Sequence, residues 1–418
     1  MREMKDSGIE WVGAIPQDWQ LSKIGSLYTQ RNEKVSDKDY QPLSVTMQGI
    51  LPQLATAAKT DDGDNRKLVR VGDFAINSRS DRRGSCGISP LDGSVSLINI
   101  ILTPRTAMHP GYYNWLFHTT LFADEFYKWG HGIVADLWTT RWQEMKSITV
   151  PVPEYAEQER IAAFLDAECA EIDTVLEKTR ASIEEYKKLK QAVITQAVTK
   201  GVRGGRPMKN SGIEWIGDIP AEWDVIRNAF LYKEKSRLPE ENAVSLSLSQ
   251  VDGLIATDDM KERSLKTSTY DGWKQVRTND LVLNRFKGHL GVLFAANIEG
   301  MVSFHYGVYE PLRQFDSKFF EYLYHSDAYK AILGLKSNGM TIGLQNLSNQ
   351  NFYSVYSLYP PEEEQQEIIQ YLDDKCSGID ALIVQKQEHF TEIENYKKSL
   401  IYEYVTGKKE VKTSVLAD

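Results

Sequence analysis

The chain is short of cysteine, of long apolar runs and of positive charge, and each shortage removes a class of protein. Three cysteines (Cys86, Cys169, Cys376) and no CxxC pair among 418 residues support neither a disulfide framework nor a zinc knuckle. No apolar run reaches the roughly 18 residues a membrane-spanning helix needs. The opening Met1–Asp6 lacks the apolar stretch of a signal peptide. The expectation is therefore a cytoplasmic protein away from membranes. A net charge of −9 argues against nucleic-acid binding through a bulk positive field. Such binding would need local basic clusters, or a partner that supplies part of the field.

Catalytic motifs are missing as well. There is no GxxxxGK[ST] loop, GxSxG elbow, HExxH helix or paired-cysteine metal site. Amino-methyltransferase tetrapeptides of the Asn/Asp-Pro-Pro-aromatic type are absent too. The seven histidines (109, 118, 131, 289, 305, 325, 389) read as scattered, with no position shared between the two halves of the chain, which favours structural roles. Gly130-His-Gly-Ile-Val-Ala135 imitates a dinucleotide fingerprint. Its counterpart Ser337-Asn-Gly-Met-Thr-Ile342 has lost the first glycine and no apolar strand precedes it, so both read as turns. The expectation is a non-catalytic chain.

What is present is a duplication. Residues 5–28 (KDSGIEWVGAIPQDWQLSKIGSLY) and 209–232 (KNSGIEWIGDIPAEWDVIRNAFLY) agree at half their positions, 204 residues apart. Further on the spacing becomes 207 and holds: Asp73 with Asp280, Asn77 with Asn284, Gly132 with Gly339, and EQERIAAFLDAECAEID (157–173) with EQQEIIQYLDDKCSGID (364–380). Agreement along a whole chain marks a tandem repeat.

Each copy has two parts. The first is rich in turns and short β-like runs, such as Val95–Ile101 and Leu281–Leu283, and reads as an α+β globule. Its tryptophans are expected to pack on the adjacent proline and pin the start of the globule, although an aromatic ligand shelf has the same composition. Prolines (Pro151 and Pro153; Pro360 and Pro361) then precede long helical segments, 154–200 and 362–406, which stop at Gly201 and Gly407. Apolar residues recur along them at alternating spacings of three and four: Leu165, Cys169, Ile172, Leu176 and Ile183 in the first, Leu372, Cys376, Ile379, Ile383 and Ile393 in the second. The two cysteines read as small buried hydrophobes in that seam. Each helix needs a partner, and the other copy is the obvious one. The expected architecture is two similar α+β domains separated by two long antiparallel coiled-coil helices, pseudo-two-fold symmetric, a caliper holding two heads apart. Boundaries fall at 1–150, 151–207 (helix and joint), 208–358 and 359–418. Lys190 and Lys397 interrupt the seam and hint that partner helices complete a bundle.

Two pairs of loops diverge between the copies while their frames agree. Arg79, Arg82 and Arg83 follow one β run; Arg285 and Lys287 follow its equivalent. After the matched glycines come Thr139, Thr140 and Arg141 in one copy and Gln345 and Asn346 in the other. Arginine suits bidentate contact to guanine or phosphate, and Gln or Asn suits adenine. A solvated surface loop carries the same residue types. Dissimilar loops on one scaffold fit two readers of different sequences. A scaffold tethering two protein- or glycan-binding heads is the other reading, and an uncharacterised hydrolase a third.

The SGIEW-x-G-x-IP-xx-W opening, the Gly-x(4)-Leu loop and the Pro-then-EQ helix entry, each occurring twice in that order, resemble the specificity subunits of type I restriction-modification enzymes over essentially the full length. The resemblance implies that 1–150 and 208–358 are target-recognition domains and the helices spacers. It implies a split, asymmetric double-stranded DNA target, two modification (methyltransferase) subunits and two restriction subunits. S-adenosylmethionine, ATP and Mg would be bound by those partners and none by this chain. Trp138-Thr-Thr departs from the polar turn often found in the family, which leaves the individual base contacts open.

Overall fold

The computed structural model describes residues 2–53, 62–105, 107–132, 138–250, 252–260, 271–337 and 346–411. They form two compact units, Met1–Arg180 with Glu388–Asp418, and Ala181–Gln387. Among the described residues no helix is long and apolar enough to cross a membrane.

The first unit is built on a four-stranded antiparallel sheet of β1 (Tyr28–Arg31), β2 (Phe74–Asn77), β3 (Cys86–Ile88) and β4 (Asn99–Pro104), in the order β3-β2-β4-β1. The second unit repeats it with β5 (Tyr232–Glu234), β6 (Leu281–Asn284), β7 (Leu293–Ala295) and β8 (Tyr306–Pro311), in the order β7-β6-β8-β5. Even the register agrees: Asn77 faces Asn99 and Asn284 faces Tyr306, each pair 207 residues from its equivalent. Both sheets are rich in β-branched and apolar residues that pack on one face against aromatic helices.

A buried carboxylate anchors the turn before each central strand. Asp73 accepts from the Arg70 amide at 2.9 Å and from Arg31 Nε at 2.7 Å. Asp280 accepts from the Arg277 amide at 2.8 Å and from Arg237 Nη1 at 2.6 Å. The matched aspartates are therefore structural.

The motif tryptophans pack against aromatic rings. Trp11 meets Phe122 edge-on at 5.8 Å, and the equivalent Trp215 meets Tyr329 at 4.8 Å. Trp19 and Trp223 are wholly buried, so neither can serve as a ligand shelf. Their indole N–H groups donate to Glu157 (2.9 Å) and Glu364 (2.8 Å), the glutamates of the two EQ helix entries. Arg2 and Arg206 bind the same carboxylates and lie over the same indole rings. The neighbouring Gln158 and Gln365 each donate to a proline carbonyl five residues back, at 2.8 Å. Each EQ pair thus fastens a helix start to its globule.

The helices are α1 (Tyr155–Lys200) and α2 (Glu362–Val405). Gly201 and Gly407 follow them with φ of +74° and +71°, the left-handed conformation that ends a helix and that glycine adopts without strain. Within the first unit Phe164 contacts Tyr404 at 4.4 Å, Lys397 binds Asp173 at 2.6 Å, and Arg180 lies 5.2 Å from the Phe390 ring, an antiparallel progression. Within the second unit Lys386 lies over Tyr186 and Lys190 binds Asp380 at 2.6 Å.

Leu165, Leu176, Ile183, Leu372 and Ile379 are buried, and Ile172, Ile383 and Ile393 half-buried, while most of the residues beside them are exposed. The seam is therefore occupied by the chain itself, and these eight residues offer little surface to a partner. Cys169 and Cys376 are free and buried in it. The two seam lysines are paired with aspartates of the same chain, Lys190 with Asp380 and Lys397 with Asp173.

One pair of histidines does share a position. His118 and His325, 207 apart, each follow the last residue of a helix, Pro110–Phe117 and Ser317–Tyr324. His118 Nδ1 is 2.6 Å from the Asn114 carbonyl and His325 Nε2 is 2.9 Å from the Leu293 carbonyl. Burial holds both below the ordinary histidine value, His325 at about 4 with help from Lys330. A depressed pKa means that the unfolded chain binds more protons between the two values. Stability is then full above about pH 6.5 and falls as pH drops towards 4, by about 3 kcal/mol for His325. Denaturant midpoints measured from pH 7 to 4 should fall accordingly, and His325→Gln should flatten the profile. A midpoint equally pH-dependent in that variant would exclude His325 as the source.

Candidate nucleic-acid interface

The loops singled out in the sequence begin at the ends of the central strands. Asn77 closes β2 and its side-chain oxygen accepts from the Arg79 amide at 3.1 Å. Asn284 closes β6 and accepts from the Phe286 and Lys287 amides at 3.1 and 3.3 Å. Asparagine ends both strands because its short side chain can bond its own backbone two residues on and turn the chain. The structure then joins this loop to the second candidate loop by the same backbone bond in both units: Thr140 N to Ser78 O at 3.0 Å, and Leu347 N to Arg285 O at 2.9 Å. Segments more than 50 residues apart in sequence become one edge.

On the first edge Arg79, Arg82, Arg83 and Arg141 are exposed, and Thr139 is half-buried, bridged to Arg79 and His131. Among the described residues the ion-pair partner of Arg82 is Asp81, at 3.9 Å, whereas Arg83 is ion-paired with Asp124 and lies 5.9 Å from the Tyr127 ring. Thr140 is a correction: it is wholly buried and donates its hydroxyl to the Phe126 carbonyl at 2.9 Å, which leaves nothing for a base. Its equivalent Leu347 is equally buried, so this position belongs to the frame. Beside the edge runs a cleft of about 670 Å³, between the Arg82 loop and the hairpin Leu43–Thr46/Gly49–Pro52, lined by Thr46, Gln48, Asn77, Arg66, Ser96 and Asn99. Buried Arg66 donates to the hydroxyl and carbonyl oxygens of Ser94, at 2.8 and 2.9 Å, and burial lowers its pKa against the opposing charge of Asp37. The cleft was not foreseen, because its walls are distant in sequence.

On the second edge Lys287 and Asn346 are exposed, and Gln345 lies outside the described residues. Arg285 is the second correction. Its guanidinium binds Glu234 and donates to Asn349 at 2.9 Å; Lys274 binds the same Glu234 at 2.9 Å. Burial raises the Glu234 carboxyl, but hydrogen bonds from Lys274 and Asn349 and the Arg285 charge outweigh it and hold the group below its ordinary value. Arg285 therefore ties the loop inward, and the side chain facing outward is its neighbour Phe286, 46% exposed. A larger cleft of about 800 Å³ elsewhere in this unit is lined by Asp252, Asp316, Glu321, Glu362 and Asp373. That lining repels phosphate, so the basic edges are the surfaces suited to nucleic acid.

No family model matches the chain. The MjaVIII specificity subunit of a type I restriction enzyme from Methanocaldococcus jannaschii is 23% identical over 429 residues, covering 95% of this chain and 94% of that protein. A structure solved for complex assembly and conformational transition of the type I R-M system superposes with a TM-score of 0.69 at 13% identity, covering 94% of this chain and 99% of that one. The HsdS subunit from Thermoanaerobacter tengcongensis superposes with a TM-score of 0.50 at 16% identity, covering 94% and 98%. In sequence and in fold, over nearly its whole length, the chain is similar to the specificity subunits of type I restriction enzymes.

Proposed function

We propose that the chain is the DNA sequence-specificity subunit of a type I restriction-modification system. It binds a bipartite asymmetric target, one half-site per unit, and docks the methyltransferase and restriction subunits that carry S-adenosylmethionine, ATP and Mg. The observation that carries this reading is that two units with the same strand order and the same stitched edge bear different side chains along that edge. An unaltered frame with altered contacts is what two different half-sites require. The net charge of −9 fits a subunit that holds DNA jointly with partners. Co-expression with the modification subunit from the same genome, followed by mapping of N6-methyladenine, tests the proposal. A bipartite motif supports it, and the absence of any such motif refutes it.

Docking calls for exposed apolar surface on the helices, since the seam is filled. Val175 and Tyr396, 45% and 55% exposed, flank the Asp173–Lys397 ion pair of the first unit. Leu189 and Leu382, 49% and 41% exposed, flank the Lys190–Asp380 pair of the second. Val175 corresponds to Leu382 and Leu189 to Tyr396, so each unit carries the same couple, as two like partners require. Leu189→Glu combined with Tyr396→Glu should abolish co-purification of the modification subunits. Stability should stay within about 0.5 kcal/mol per exposed substitution. Retention of the subunits at wild-type stoichiometry would move docking elsewhere.

A further inference from the structure

The two units place different chemistry at equivalent positions of one frame. Arg79, Leu97, Ile98 and Asn99 of the first correspond to Phe286, Phe304, His305 and Tyr306 of the second, each 207 residues on. In the second unit three of these rings group together. His305 lies 5.6 Å from Phe286 and 3.9 Å from Phe304, centroid to centroid. Phe304 is 55% exposed, slightly more than Phe286. Clustered aromatic surface left in water marks a binding surface. The surroundings are positive: Lys287 is exposed beside Phe286, and behind the loop Lys274 and Arg285 share the single carboxylate of Glu234, a surplus of one positive charge. Apolar rings within a positive surround match duplex DNA. Its phosphates take the cations, and its apolar parts are the thymine 5-methyl groups and the faces of the bases.

We infer that the second unit reads its half-site through apolar contacts of Phe286 and Phe304 with the bases, whereas the first unit uses the hydrogen-bonding arginines Arg79 and Arg82. The inference rests on the specificity-subunit reading above. Arg285, which composition alone marks as the reader, is a positioning residue: it and Asn349 hold the loop that presents Phe286.

The test uses the complex with its modification subunits and duplexes carrying the mapped motif. The half-site of the second unit is the one whose readout survives Arg82→Ala. Replacing its thymines one at a time by deoxyuridine should lower the affinity of the wild-type complex roughly ten-fold at one position, with no such loss in the other half-site. A ring inserted between bases would instead raise 2-aminopurine fluorescence at a position other than the methylated adenine, an increase lost in Phe286→Ala. Either response supports the apolar contact and tells methyl from base face. Phe286→Ala and Phe304→Ala should each relax that half-site alone, by roughly ten- to hundred-fold. If neither probe responds and both variants methylate the wild-type motif at the wild-type rate, the inference is overturned and the specificity-subunit reading stands. Loss of co-purified subunits in Phe286→Ala, with the motif unchanged, overturns it by assigning the rings to a protein partner. If the complex methylates no bipartite motif, both readings fall.

Discussion

Trp223→Ala should destabilise the second unit by about 3–5 kcal/mol, a large part of the 5–15 kcal/mol that holds a typical domain folded. The indole is wholly buried, donates to Glu364 at 2.8 Å, meets Phe319 edge-on at 6.4 Å and lies under the Arg206 guanidinium. Its removal opens a cavity and strips a donor from a carboxylate that is itself wholly buried. Trp223→Phe weights the second effect, because a six-membered ring stays while the N–H and the rest of the indole are lost; about 1–3 kcal/mol is expected. The equivalent Trp19→Ala should cost less, since the Glu157 side chain retains 12% exposure and can be reached by water. Equilibrium unfolding in urea, followed by circular dichroism, measures all three. A loss below about 1 kcal/mol for Trp223→Ala would mean that the triad does not fasten the helix.

The second large effect is on specificity. Arg79→Ala combined with Arg82→Ala should relax one half of the methylated motif and leave the other intact, at about 1–3 kcal/mol for each bidentate contact removed. Arg82 suits this role because its side chain is 69% exposed and Asp81, its acidic partner among the described residues, is at the limit of ion-pairing distance. Arg83→Ala should leave the motif unchanged, since Arg83 is committed to Asp124 and surface pairs of that kind contribute about 0–1 kcal/mol. Methylome sequencing reads all of these outcomes at once. Equal relaxation of both halves would point to a folding defect rather than a lost base contact.

The repeat, the seam and the helix ends could be read directly from residue spacing, because periodicity and left-handed glycines are local signals. The stitching of the two candidate loops was legible only as an expectation that both matter. Which side chains remain available was not legible at all. Arg285 and Arg82 look alike in sequence, but Glu234, 51 residues before Arg285, engages only the former. Thr140 and Thr139 are neighbours, and the fold buries one and leaves the other at the edge. Lys190 and Lys397 looked like defects until Asp380 and Asp173 appeared opposite them. The Arg–Glu–Trp fastening did leave a trace: Arg2/Arg206, Trp19/Trp223 and Glu157/Glu364 are each retained in both copies. Side chains of complementary chemistry, all kept through a duplication, are candidates for mutual contact even when 140 or so residues separate them.

The composition of the first unit has a consequence for how the chain is made. Its core is closed by Leu400, Val405 and Val411, and the Tyr112 hydroxyl donates to the Val405 carbonyl at 2.8 Å. The second unit needs only residues 181–387. On the ribosome, where domains fold as they emerge, residues 2–180 must therefore wait with an open apolar face until residues 388–411 have left the exit tunnel. The second unit can close before it. During that interval the first unit, not the second, is the one exposed to proteases, chaperones and misassociation, and loss of residues 388–411 would injure a globule built more than 200 residues earlier.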